Sequence, residues 1–493
     1  MTDIKDIKVR VRDFVVSTDG LFFASTDYIH PEGWAIAFLR YVPDPEGDRE
    51  KDGVRYTKEG SDEAYSYLRE KHPEYLFKSE VFNAELVGVP YEKIDRIIKP
   101  EERLKELREQ YIPIIKEKRQ KNEDLTFMEE LMEKLIDLSD FFHYVAGVDY
   151  NDLGISGSIL PGLQKPGTSD LDFVVYGLEN HRNAIQAYKA NKDKEVYIDE
   201  LGKSITLNRI NDDFWDFVFN KRIKDDSLSK AEFAWYEERK SNRGIIRDTL
   251  FDILATRNYD EIEGSWGETL YEPVDFATLN CRIVSALGSF DNPATYTIED
   301  LEVIEGPDVE ISELASRTHT YAGEVVDGEE VVARGRVEKV IRNGEFEKYR
   351  LLVGTTRESI NEYIKLKEIS FNIKMAEEKQ PTLEVNPELQ KPDMKKEQIE
   401  YIKNLFYNPQ AGLDWVNKTF DSLKDASGTI PRATFGPKIK EITMGLGAPE
   451  PKPQDLEAAI QRADPNGDGK ITYDEFKNFC IDSGDGLLTL LGL

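Results

Sequence analysis

Asp170 and Asp172 stand two positions apart at the mouth of an apolar stretch, SDLDFVVYG. In an extended strand, residues two apart share a face, so both carboxylates project together while Leu171 and Phe173 face the other way. Like charges on one face repel unless a cation lies between them. Carboxylate oxygens suit Mg²⁺, which also takes phosphate oxygens as ligands. Upstream, Gly157-Ser158 permits close backbone approach, and its N–H groups with the Ser158 hydroxyl can cradle the β- and γ-phosphates of a nucleoside triphosphate. Two-metal phosphoryl or nucleotidyl transfer calls for a third carboxylate to position and deprotonate the attacking hydroxyl. Asp252 in LFDILATR is the best candidate, an acid inside an apolar, strand-like run. Asp213 and Asp216 in NDDFWDFVF are weaker, because the aromatic spacing around them is helical.

Basic residues near these acids could receive a triphosphate or an RNA end. Lys165 lies in the loop itself, and Arg239, Lys240, Arg243 and Arg247 lead towards Asp252. Arginine grips phosphate bidentately, which singles out Arg243 and Arg247. Glu237, Glu238 and Asp248 interleave with them, so a solvated charged face is the plainer alternative. Trp235 and Tyr236 read as core before they read as a base-stacking pair. His143 reads as a packed residue and His30, beside Pro31, as a turn residue.

A second chemistry stands near the C-terminus, where DPNGDGKITYDEF fits the EF-hand loop pattern. Asp464, Asn466 and Asp468 supply side-chain oxygens, Lys470 its carbonyl, Thr472 the ninth position and Glu475 the closing bidentate carboxylate for Ca²⁺. Gly469 makes the sharp turn. Upstream, FDSLKDASGTIPRATF reads as a decayed partner loop: Leu423 and Thr434 replace the acidic ends, leaving Asp425 and Ser427 too few oxygens for a metal. The apolar tail GDGLLTLLGL could fill the groove between the helices or fray.

These residues need elements to hold them. Residues 1–98 read as an α+β domain with a helix starting at a Ser61 N-cap, and 99–139 as a helical connector with Leu131, Leu135 and Leu138 on one face. Residues 140–268 contain the aspartates. Residues 269–372 are rich in strands and turns, with DG at Asp327-Gly328 and NG at Asn343-Gly344, and suggest a small barrel. Residues 373–397 form a polar, Pro-bearing linker and 398–493 a helical EF-hand domain. Met375 followed by AEEKQ looks like the start of another protein, which makes a fusion at that point an open alternative.

Composition narrows the function classes. With 65 basic against 95 acidic residues the chain carries a formal charge of −30, so nonspecific nucleic-acid binding is disfavoured. No apolar run approaches membrane-spanning length, and the N-terminus is charged throughout. Two distant cysteines make a disulfide framework improbable and a reducing cytoplasm the expected compartment.

Gly157-Ser158, eleven residues, then Asp170-Leu171-Asp172 between apolar neighbours resembles the core motif of the DNA polymerase β-like nucleotidyltransferase superfamily. Asp252 matches its third carboxylate, although eighty positions separate it from Asp172, a wide gap. The surrounding chain, including FFASTDYIHPEGWAIAFLRYVPDPEGDREKDGVRYTKEGS, resembles a group of uncharacterised archaeal predicted nucleotidyltransferases over roughly residues 7–370. The resemblance implies an α+β multidomain fold: a mixed-sheet nucleotidyltransferase core with helices, flanking β-rich domains and an all-α EF-hand pair. It also implies Mg²⁺-dependent transfer of a nucleoside monophosphate from an NTP to a hydroxyl acceptor (RNA end, protein or small molecule), with release of pyrophosphate. The alternative is a calcium-binding regulatory or interaction protein that binds nucleotide without turnover.

Overall fold

The computed structural model describes residues 8–79, 81, 84–165, 169–355, 359–367, 409–445, 456, 459–461, 463–464, 469–473, 475–477 and 479–480. Outside the described residues lie the loop positions Pro166 and Gly167, the 373–397 linker, Asn466, Asp468 and the C-terminal tail, as do the side chains of Ser61 and Asp213. The chain divides into two compact units, Met1–Glu377 and Glu378–Leu493.

In the first unit, an eight-stranded sheet takes in the strands between Phe14 and Ile98. Alternation along Phe14–Ser17 divides its side chains between two cores. Val15 packs with Phe23, Leu39 and the helix residues Ala64 and Leu68. Phe14 and Val16 join Phe22, Tyr41 and Tyr56 on the other face, against Leu160 and Leu163. The loop that follows Gly157 is thereby seated on this sheet.

The central sheet has six strands in the order Glu195–Ile198, Lys203–Asn208, Arg243–Ile246, Thr249–Thr256, Leu171–Tyr176, Leu153–Ile155. Leu171–Tyr176 and Thr249–Thr256 run parallel, and the other neighbours are antiparallel. Helices Pro100–Lys121 and Phe127–Tyr144 contribute to its core through Leu104, Leu107, Leu131, Leu135 and Leu138. The second helix begins with a capping box, Thr126 and Glu129 satisfying each other's backbone N–H groups.

In the third sheet, Thr269–Ser285 pairs with Ala294–Glu305 on one side and Glu330–Arg342 on the other, and the remaining pairings close the ring. Bulges along the seventeen-residue strand give it the curl that closure needs. The NG turn is a tight hairpin with Asn343 and Gly344 at φ 52° and 82°. Helices Asp212–Arg222 and Lys230–Lys240 share this barrel's core through Trp215, Val218, Phe233 and Tyr236.

The second unit contains helices Pro409–Leu423 and Arg432–Gly445, and a two-stranded sheet in which Ile430 pairs with Ile471. Ile430, Phe435, Ile471 and Phe476 are buried together.

The expected fold class is overturned. Among the described residues strand, at 36%, outweighs helix, at 32%, and curled sheets, rather than a helix-bearing nucleotidyltransferase core, dominate the first unit. The physical reason is the length over which β-branched residues alternate, as in VVARGRVEKVIR, which builds strands long enough to curl and close on one another. The second unit is not an all-α pair either, since the Ile430–Pro431 and Lys470–Ile471 strands join its loops. Among the described residues, no helix is long and apolar enough to cross a membrane.

Candidate active site

The central sheet sets the aspartates in a row. Asp172 lies in register beside Asp252 on the parallel neighbour, and Asp252 lies in register beside Arg243 on the next strand. Arg243 grips Asp252 with both ends of its fork, Nε at 2.5 Å from Oδ1 and Nη2 donating to Oδ2 at 3.0 Å. At the far end of the row, the Ser156 amide donates to the Asp172 carbonyl at 2.8 Å and the chain turns at Gly157. Gly157 has φ +60°, and a Cβ there would lie 1.7 Å from Asp172 Oδ2. The glycine therefore makes room for the carboxylate itself. The Ser158 hydroxyl donates to Ser169 Oγ at 3.0 Å, which in turn accepts the Lys165 amide at 2.8 Å, so it helps shape the loop.

Burial pushes the Asp172 carboxyl up to about 7, with Asp170 and Asp252 adding to the rise and Arg12 and Lys58 opposing it. Burial also raises Asp252, against the pull of Arg243. Asp170, just before the strand, is exposed. Burial is the larger cause of the rise at Asp172, and the neighbouring carboxylates add to it.

The row opens into a cavity of about 790 Å³ to which all three sheets of the first unit contribute. The basic residues Arg12, Arg40, Arg49, Lys58, Lys221, Arg222, Arg243 and Arg317 line it, together with His319, against the acids Asp170, Asp172, Glu237, Asp252 and Asp291. In a chain of net charge −30, that local excess of basic over acidic residues gives the cavity a charge balance opposite to that of the whole. Arg12, Arg40, Lys58 and Lys221 make no ion pair among the described residues, whereas Arg49 donates to the Leu163 carbonyl at 2.6 Å. Of these cations, sequence reasoning found Arg243 alone. Arg12, Arg40 and Lys58 sit in strand-like stretches of the first hundred residues, with no local motif to mark them.

Other predicted residues lie elsewhere. Lys165 reaches Asp48 and does not line the cavity. Arg247, at φ +57°, pairs with Asp137 and with Glu133 at 3.3 Å on the helix Phe127–Tyr144. Arg239 pairs with Glu329 at 2.6 Å, and Asp216 with Lys230 at 2.6 Å. Lys240 is buried between Glu237 at 2.7 Å and Glu324 at 3.2 Å. Tyr236 is buried and accepts the Leu366 amide through its hydroxyl at 2.7 Å. His143 bonds the Val148 carbonyl at 2.8 Å and stacks on Tyr150, and His30 accepts the Ile36 amide at 3.0 Å.

Hard oxygens on Asp170 and Asp172, a carboxylate cradled by Gly157 and a raised proton affinity together fit Mg²⁺. The ligand atoms of the three aspartates do not all lie within 4.8 Å of one another; among the described residues, Asp19, His72 and Glu74 form the one trio that does. That trio already has a cation, because Lys93 lies 3.4 Å from Asp19 and 3.7 Å from Glu74.

In the second unit, Asp464 Oδ2 accepts the Gly469 amide and Arg432 Nη1, each at 3.1 Å. Asp464 Oδ1 is buried with no hydrogen-bond partner, an orphan that a cation would satisfy. Glu475 Oε2 accepts the Thr472 amide and hydroxyl, each at 2.8 Å. Lys470 opens the short strand paired with Ile430–Pro431. In the upstream loop Asp425 is occupied by the Ser427 amide at 2.8 Å and by its hydroxyl at 2.5 Å.

Residues 455–483 match the EF hand domain family, which supports calcium binding. An uncharacterized protein of Methanocaldococcus jannaschii, MJ1086, is 42% identical over 372 residues, covering 73% of this chain and 100% of the relative. No solved structure matches the chain. The nucleotidyltransferase resemblance gains no support from these matches.

Proposed function

The chain belongs to the family of that M. jannaschii protein, and for it we propose Mg²⁺-dependent transfer of a nucleoside monophosphate from a nucleoside triphosphate to a hydroxyl acceptor. What supports the reading is the in-register pair Asp172–Asp252, flanked by Asp170, in a cavity whose charged lining is more basic than acidic. Asp170 and Asp172 would hold the metal, which when bound offsets their repulsion and polarises the α-phosphate. Arg40, Arg49 and Lys58 bind and orient the triphosphate tail from the first sheet. Asp252 receives the proton of the acceptor hydroxyl once Arg243 loosens its grip, and until then Arg243 opposes the rise in that carboxylate's proton affinity.

Incubation with labelled nucleoside triphosphates and Mg²⁺ across a panel of hydroxyl acceptors tests this. Asp172→Asn or Asp252→Asn is expected to lower turnover by roughly 10²–10³-fold with the fold intact. Wild-type protein that transfers nothing would sink the proposal. A second reading, nucleotide binding without turnover beside a calcium-binding unit, rests on the bidentate hold of Arg243 on Asp252. It predicts triphosphate binding that survives while transfer stays absent at every Mg²⁺ concentration and with every acceptor.

A further inference from the structure

The cations of the cavity form two groups, not one. Lys58 has Arg40 and Arg49 as its cationic neighbours and feels Asp170 and Asp172. These three belong to the first sheet, whose short strand Arg49–Lys51 reaches the loop after Gly157: Arg49 donates to the Leu163 carbonyl and Lys51 to the Pro161 carbonyl, each at 2.6 Å. They therefore stand at the Gly157 end of the row. The second group stands at the Arg243 end. His319 feels Arg12, Arg222 and Arg243, and Arg222 in turn feels Arg243 and Asp252. Arg12 lies against the strand that carries Asp252, its Nε 3.5 Å from the Ala255 carbonyl, and feels both Asp172 and Asp252 without pairing with either.

Ordinary charge pairing does not use up this second group. Arg243 is committed to Asp252, and Glu237 lies nearer Lys240, at 2.7 Å, than Arg222, at 3.4 Å. Arg12 has no ion pair among the described residues; its Nε is 3.5 Å from the Ala255 carbonyl. Its backbone sits at φ +76°, held by hydrogen bonds from the Arg12 amide to the Ser25 carbonyl at 3.0 Å and from Ser156 Oγ to the Arg12 carbonyl at 3.2 Å. A charged side chain anchored at a left-handed backbone position, deep in a cavity and without a carboxylate partner, is positioned for a ligand.

We propose that the cavity holds two oxyanions at once, and that Arg12 and Arg222 bind the phosphate of a small phosphorylated molecule whose hydroxyl is the nucleotide acceptor. The assignment of that molecule as acceptor rests on the transfer reading given above. Its hydroxyl oxygen forms a bond to the α-phosphorus while the bond from that phosphorus to the α,β-bridging oxygen breaks. The bridging oxygen keeps the electron pair and leaves as pyrophosphate on the Arg40, Arg49 and Lys58 side. The hydroxyl proton passes to Asp252 and then to solvent. An RNA end fits less well, because a chain of net charge −30 repels an extended phosphate backbone, whereas one small phosphate meets only the local basic lining of the cavity.

The test is calorimetric titration of the full chain with inorganic phosphate, alone and in saturating tripolyphosphate, which stands in for the nucleotide tail. Phosphate is expected to bind with the tripolyphosphate in place, its affinity changing by less than about threefold, and Arg12→Gln or Arg222→Gln should weaken that phosphate by about tenfold or more. Arg40→Gln or Lys58→Gln should instead weaken tripolyphosphate. Arg222→Lys, which keeps the charge, should recover part of the phosphate binding, and an unchanged melting temperature shows that a variant folds. Phosphate binding abolished by saturating tripolyphosphate, or both ligands weakened equally by all four glutamine variants, would overturn the proposal. So would displacement of phosphate by a short single-stranded RNA in preference to glycerol 3-phosphate. Two-site binding without any turnover would leave the two oxyanion sites standing and overturn the transfer reading.

Discussion

Gly157 shows how one missing side chain sets the chemistry of another residue. Its Cβ would fall 1.7 Å from Asp172 Oδ2, at a φ of +60° that side chains rarely adopt. Gly157→Ala should lower stability by about 2 kcal/mol or more in denaturant titration and remove Mg²⁺-dependent transfer. An alanine variant with wild-type turnover would show that the carboxylate needs no cradle. Glu324 offers a pH test away from the aspartates. Lys240 can neutralise one of its two carboxylate neighbours, and Glu237 is held below its usual range, burial opposing but Lys240 and Arg222 prevailing. Burial pushes the Glu324 carboxyl up to about 8 from an ordinary 4.5, against the pull of Lys240. Across that window the fold retains a proton that the unfolded chain has released, so stability falls as pH rises from about 5 to about 8. Glu324→Gln should flatten that fall, recovering on the order of 2 kcal/mol at pH 9 in urea titrations. An unchanged slope would assign the pH dependence to another group.

At the scale of elements, two arginines four positions apart part company. Arg243 lies inside Arg243–Ile246, where register with Thr249–Thr256 delivers it to Asp252. Arg247 sits past the strand end at φ +57° and turns to Asp137 and Glu133 on a helix. Arg247→Gln is therefore expected to cost about 1 kcal/mol or less, its pairing being partly solvent-screened, and to leave triphosphate binding and turnover unchanged. Loss of triphosphate affinity in that variant would mean that the turn folds back into the cavity. The helix Lys230–Lys240 presents Glu237 to the cavity and starts at a capping box between Ser229 and Glu232. Ser229→Ala should cost about 1 kcal/mol, read as a shift of the urea midpoint.

For the molecule as a whole, charge is unevenly spent: the chain is strongly acidic, yet eight basic residues line one cavity of the first unit. Tripolyphosphate affinity should therefore weaken steeply with added NaCl. In the second unit, Ca²⁺ at about a hundred times its Kd should stabilise by about 2.7 kcal/mol, and Glu475→Gln should abolish most of that gain. A calcium-independent unfolding curve in wild-type protein would show that the loop no longer binds the ion.

The sequence by itself determined what depends on near neighbours. The strand that carries Asp172, the EF-hand spacing from Asp464 to Glu475, the NG hairpin and the helix over Phe127–Tyr144 all follow from local periodicity and turn chemistry, whereas Asp170, read on the same strand, falls just before it. Its reading of Asp252 also put an acid on the strand that became the partner of Asp172. The tertiary structure decided which charges meet. Arg12, Arg40 and Lys58 line the aspartates' cavity from more than a hundred positions away, and Lys165 and Arg247 are drawn off by Asp48 and Asp137. It also decided the class of the fold, because closure of a barrel by Thr269–Ser285 pairing on both edges is a long-range hydrogen-bonding outcome. Ion pairs and sheet closure depend on distances in space, and a short window of sequence carries no record of them.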